Sequence, residues 1–185
     1  MSNGIFDQWT SSFGTALPAG FLLRSARPEI WLRVHSLPES KRYPENQADY
    51  QEVLRRYNSV ATDVLGEGSL CTLFITRFGE NQVWSKRDEM PLGNKTPQHV
   101  FGHGLDDDAI QFFALSVCWR ANNFDELLTS VANDQTGPIL FSNLAKQTAF
   151  SPYDGGADLF FQSECERNTA KTVFAPWLSE RQDGL

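Results

Sequence analysis

Phe150-Ser-Pro-Tyr-Asp-Gly-Gly-Ala-Asp-Leu-Phe-Phe-Gln-Ser163, running on from Glu164 to Leu178, decides how this chain folds. An Asp ahead of two glycines supplies local side-chain hydrogen bonding and positive-φ positions, so Asp154-Gly155-Gly156 predicts a hairpin turn. It would join strands 147–151 and 157–162, with a further strand at 138–142 just upstream. Short connections of this kind favour antiparallel pairing, because a parallel crossover needs about a dozen residues or more. Ser163 and Glu166 then form a capping box, opening a helix with Ala170, Val173, Phe174, Trp177 and Leu178 on one stripe. Pro176 lacks a backbone donor, so that helix kinks there or restarts with Pro176 in its first turn.

Working outward, Ile30 to Ser36 alternates, with Ile30, Leu32 and Val34 on one face and Trp31, Arg33 and His35 on the other. That pattern predicts a strand exposed on one side. Leu37 to Pro44 holds two prolines and reads as a loop. Over 46–65, Tyr50, Val53, Leu54, Tyr57, Val60, Ala61, Val64 and Leu65 follow the helical period, and Gly66 is placed to end the helix. Ser69 to Phe78 and Ala109 to Trp119 are apolar on both faces, as central strands are. Residues 3–14 predict a short helix, and Asn123 with Glu126 predicts a capping box for another. Between the two central strands, 79–108 reads as one long loop, a length more often functional than a bare connection. The expectation is one α+β domain over residues 1–185, a mainly antiparallel sheet of about six strands with three or four packed helices.

Composition sets outer limits. Hydrophobic content of 41% and charged content of 21% suit an ordinary globular protein. No apolar run approaches the roughly 20 residues of a membrane span, and the first residues lack the pattern of a signal peptide. Cys71, Cys118 and Cys165 are odd in number and far apart, which favours reduced thiols and a cytoplasmic location. Cys71 and Cys118 fall in apolar strands, where a thiol behaves as a small hydrophobe. A formal net charge of −7 argues against nucleic-acid binding and is compatible with a basic protein partner.

Candidate chemistry is sparse. His99 and His103, four apart and followed by Asp106, are the best candidate metal ligands, although Gly102 and Gly104 disfavour the helix that would aim both imidazoles at one ion. No nucleophile elbow or glycine-rich phosphate loop is present, and no cofactor is expected. Asp154 and Asp158 flank the double glycine, where paired carboxylates can perform acid–base work, hold a divalent cation or simply shape the turn. Arg33, His35, Glu39, Lys41 and Arg42 cluster around two prolines after a strand, as in an anion site or the polar rim of an interface. Trp84 in the long loop is a candidate aromatic anchor.

The block Arg33-Val-His-Ser-Leu-Pro-Glu-Ser-Lys-Arg-Tyr-Pro-Glu45, leading into the 46–65 helix, resembles the opening block of a family of uncharacterised bacterial proteins. Pro152-Tyr-Asp-Gly-Gly-Ala-Asp-Leu-Phe161, with Trp177-Leu-Ser179 and Asp183-Gly-Leu185, is similar to that family's closing block. Small acidic proteins of this type look like immunity proteins, which neutralise a toxin by blocking its surface. The acidic charge, the aromatic supply and the lack of a coherent catalytic set point to a non-enzymatic cytosolic domain that binds a protein partner such as a basic toxin, and the resemblance carries over no catalytic residue. The competing expectations are a small metal-dependent hydrolase built on His99, His103 and Asp106, and a homodimer with a structural role.

Overall fold

A computed structural model describes residues 4–79, 92–93, 95–104 and 109–179. Its strands are β1 (Trp31–His35), β2 (Leu70–Phe78), β3 (Gln98–His103), β4 (Ile110–Cys118), β5 (Ile139–Asn143), β6 (Thr148–Tyr153) and β7 (Gly156–Phe160). They form a single sheet in the order β1-β7-β6-β5-β2-β4-β3, and every neighbouring pair is antiparallel. The helices are α1 (Gly4–Phe13), α2 (Gly20–Ala26), α3 (Gln47–Leu65), α4 (Asp125–Ala132) and α5 (Glu164–Val173). The fold is α+β, with one strand and at least one helix beyond those read from the sequence.

Period-2 alternation along the strands splits the core into two layers. Leu73, Ile75, Phe141, Phe150 and Leu159 face α3, α4 and α5, whose buried residues include Val53, Tyr57, Leu128 and Ala170. Their alternates Phe74, Leu140, Ala149 and Phe160 meet Trp9, Phe13 and Leu23 of α1 and α2. Trp9 stacks on Phe13 at 4.3 Å and meets Phe74 edge-on at 5.1 Å, so aromatic rings fill much of this second layer.

The backbone of α3 is satisfied at both ends. The Asn46 side chain accepts from the Asp49 amide at 3.0 Å, and Gly66 ends the helix at φ 91°. Its buried polar groups are used as well. Arg56 donates to Glu52 at 2.6 Å and to the His35 carbonyl at 3.0 Å. Asn58 donates to Asp125 and accepts from the Asn122 amide, each at 2.8 Å, tying α3 to the entry of α4.

Four local expectations need correction. The capping box of Asn123 and Glu126 does not form: α4 starts at Asp125 without a side-chain cap, because Asn58 already holds that entry. The long connection contains β3, bulged between His99 and Phe101 and stacked through Phe101 on Phe6 and Phe112. Cys118 is exposed at the end of β4 and donates to the Gly68 carbonyl at 3.4 Å, whereas burial pushes the Cys71 thiol up to about 11. On α5, Val173 points into solvent while Ala170 and Phe174 are buried. The rest of that segment follows the expectation. Ser163 Oγ accepts from the Glu166 amide at 3.3 Å, and a short 3-10 turn, Ala175–Trp177, restarts the chain at Pro176.

Candidate functional site

A split in the sheet creates the site. The β5–β6 ladder runs from Asn143 opposite Thr148 to Phe141 opposite Phe150 and ends there. Beyond it stand Pro138, just ahead of β5, and Pro152 inside β6, and a proline has no N–H to extend a ladder. Ser151 Oγ bridges the gap instead, donating to the Ile139 carbonyl at 2.7 Å. A cleft of ≈ 270 Å³ opens at this end, lined by both prolines, the β6–β7 turn and the first residues of α2. Gly20 allows that approach, since a Cβ there would collide with the Ser151 side chain and stand 3.8 Å from Asp158 Oδ2.

Two aspartates organise the charges. Asp158, only 4% exposed, lies directly across the β1–β7 pair from Arg33 and receives its Nε at 2.8 Å and Nη2 at 2.9 Å. Trp31 Nε1 adds a third bond to Asp158 Oδ1 at 2.8 Å. Burial alone would lower the Arg33 pKa, but the Asp158 hydrogen bonds and charge turn the net shift upward. The guanidinium also lies 4.6 Å from the Tyr153 ring centroid, and burial pushes the Tyr153 phenol up to about 12. Asp154, also buried, takes Arg42 Nε at 2.8 Å, and its carboxylate raises the pKa of the neighbouring Tyr43. Both carboxylates are therefore counter-ions that fix two arginines in place.

The turn itself differs from the expectation. Neither Gly155 nor Gly156 occupies the left-handed region. Glycine is needed there for space, because a Cβ on Gly156 would run into the Val34 carbonyl of β1 and one on Gly155 would press on Tyr153 and Arg42. Tyr57 Oη donates to the Tyr153 carbonyl at 2.5 Å, anchoring the turn to α3.

A family match covers residues 19–182, under the description domain of unknown function (DUF3885). The chain belongs to that family. The match begins one residue before α2, so every element of the cleft lies within the DUF3885 domain while α1 lies ahead of it. No curated protein and no solved structure matches the chain.

The remaining candidate residues of the DUF3885 domain are dispersed. Glu39 and Ser40 both adopt left-handed backbone, at φ 55° and 57°, a strained conformation for residues other than glycine. Lys41 pins the far side of this loop, donating to Asp49 at 2.7 Å and to Glu45 at 3.0 Å. His35 Nε2 and Ser40 Oγ are 3.4 Å apart, too long for a well-formed hydrogen bond. Burial, with Arg33 and Arg56 nearby, lowers the His35 pKa and so favours the neutral imidazole.

His99 and His103 stand at opposite parts of β3, separated by roughly 13 Å of extended chain at ~3.3 Å per residue. His99 Nε2 contacts Gln111 Oε1 at 2.8 Å. Asp106 and Trp84 lie outside the described residues, and among the described residues no three His, Cys, Asp or Glu side chains gather to hold a metal ion. No helix among them is long and apolar enough to cross a membrane.

Sequence reasoning missed Phe21, Arg24, Tyr43, Asp134 and Tyr153. Only the approach of α2, the loop after α4 and the β6–β7 turn brings Phe21, Arg24, Asp134 and Tyr153 around one opening, with Tyr43 of the 37–44 loop beside Asp154 at its edge.

Proposed function

We propose that this DUF3885 domain is a non-enzymatic module that binds another protein, in the manner of an immunity protein blocking the surface of a toxin. The contact face is the rim of the split sheet, formed by the start of α2, the 37–44 loop and the β6–β7 turn. What carries this reading is that large rings stand in solvent beside an arginine already locked in place. Phe21 is 38% and Tyr43 47% exposed, and the Arg42 guanidinium lies 5.3 Å from the Tyr43 ring centroid while bound to buried Asp154. Aromatic and arginine side chains dominate binding energies at interfaces, and side chains held beforehand lose less entropy on docking. The carboxylates that acid–base chemistry would require free are committed to arginines instead. The net charge of −7 favours a basic partner and fast encounter with it.

The test is to capture the partner from the native host and measure its affinity for Arg42→Ala and Tyr43→Ala proteins. Each change is expected to weaken binding about tenfold or more; Tyr43→Ala should leave the melting temperature nearly unmoved, whereas Arg42→Ala should lower it by stranding buried Asp154, so Tyr43→Ala separates binding from stability. Silence of both changes would overturn the reading. So would stoichiometric bound metal that disappears in His103→Ala, which would favour the metal-dependent hydrolase.

A further inference from the structure

Three arginines line the cleft, and two are occupied by it: Arg33 on Asp158 and Arg42 on Asp154. Arg24 is the exception. Its guanidinium lies 5.5 Å from the Trp31 ring centroid and makes no hydrogen bond or ion pair with any described residue. Arg24 follows Gly20 by one helical turn, so the same close approach that Gly20 permits brings this unused set of donors into the opening.

We infer that the cleft is a binding site for a small apolar carboxylic acid, with Arg24 receiving the carboxylate, independently of any protein partner. A planar guanidinium presents paired donors that match a carboxylate, and a ring face behind it holds the fork in one plane. The charge around it selects a monoanion. Asp154 and Asp158 are each balanced by one arginine, whereas Asp134 lines the same cleft without a salt bridge among the described residues. The charged side chains lining the cleft thus balance, and Arg24 is the one arginine there without a carboxylate of its own among the described residues, so a second negative charge on a ligand would find no second unpaired cation. Phe21, Val131, Pro138 and Pro152 offer apolar wall. At ≈ 270 Å³ the space falls just below the ~300–1,000 Å³ of pockets for drug-sized ligands, so it suits a compact acid.

The experiment titrates the full chain at low ionic strength with benzoate, benzamide and inorganic phosphate, following amide and arginine Nε–H signals by NMR. Benzoate should saturate and move the Arg24 Nε–H signal, while neutral benzamide and phosphate bind about tenfold more weakly or worse. Arg24→Gln should weaken benzoate about tenfold or more with an unchanged melting temperature, and Arg24→Lys should retain part of the affinity. Failure of benzoate to saturate, equal binding of benzamide, preference for phosphate, or unchanged benzoate binding in Arg24→Gln would each overturn the inference. Should Arg24→Gln not fold, the benzoate-to-benzamide ratio of the unaltered protein still decides.

Discussion

Strand β6 belongs to two hairpins, and their turns lie at opposite ends of the sheet. At the β5–β6 end, polar side chains are spent on helix backbone. Lys146, Thr148 and Asn143 donate to the Val64 and Leu65 carbonyls at 3.0, 2.8 and 2.7 Å, closing the C-terminus of α3. These are carbonyls that a helix leaves without partners of its own. The depression beside that turn is larger, ≈ 570 Å³, yet its Lys146 is already engaged. At the β6–β7 end, side chains pair with side chains across 125 and 112 residues of sequence, and Arg24 is left over. Cavity size and free donors therefore do not go together in this fold: the larger depression has its lysine engaged, and the smaller cleft keeps an arginine without a carboxylate.

Asp158→Ala should break the comparison most severely. It strands a buried guanidinium, with an expected loss of about 3–5 kcal/mol in urea unfolding. The double change Arg33→Met with Asp158→Leu should recover most of that loss; no recovery would mean that the pair does more than neutralise itself. Gly156→Ala comes next, at about 2–3 kcal/mol, since its Cβ meets backbone of β1 rather than a side chain that can move. Amide exchange should then rise along the β1–β7 pairing and not along β5–β6. Asn143→Ala tests the other end. Leaving the Leu65 carbonyl unpaired should cost about 1–2 kcal/mol and leave benzoate and partner binding untouched, so an effect on either would show the two ends to be coupled.

The smallest effect is on pH dependence. Burial, followed by Arg33 and Arg56, depresses the His35 pKa below the ordinary imidazole value of 6.5, so the unfolded chain takes up that proton first as pH falls. The contribution is complete above about 6.5 and is lost as pH drops through 6.5 toward the lowered folded value. Across this range the unfolding midpoint of the parent should fall with decreasing pH more steeply than that of His35→Gln. Identical pH slopes for the two proteins across it would show that His35 contributes nothing.

Legibility in the sequence followed the range of the interaction. The α3 stripe with its closing Gly66, the alternation of β1 and the Ser163 cap depend on neighbours a few residues away, and each was readable. Strand β3 was not, because Gln98, His99, Gly102 and His103 have no strand-like pattern. They are held by pairing with β4, and Gly102 leaves room for the Gln111 side chain of that strand. Helix α2 is seven residues long and lacks a side-chain cap, so nothing local announces it or the Arg24 it carries. Arg33, Arg42, Asp154 and Asp158 could be picked out as charged groups near turns. That they neutralise one another depends on the strand order, which places β1 beside β7.

Pro138 and Pro152 have a consequence for how such a domain can diversify. They keep β5 and β6 from zipping shut, so the mouth of the sheet stays open whichever side chains surround it. Phe21, Arg24 and Tyr43 sit at that mouth, outside both core clusters, and can be exchanged without repacking either layer. The fold thus separates a closely packed frame from a replaceable lip, and a chain with other residues at 21, 24 and 43 would keep the frame while presenting a different surface at the mouth.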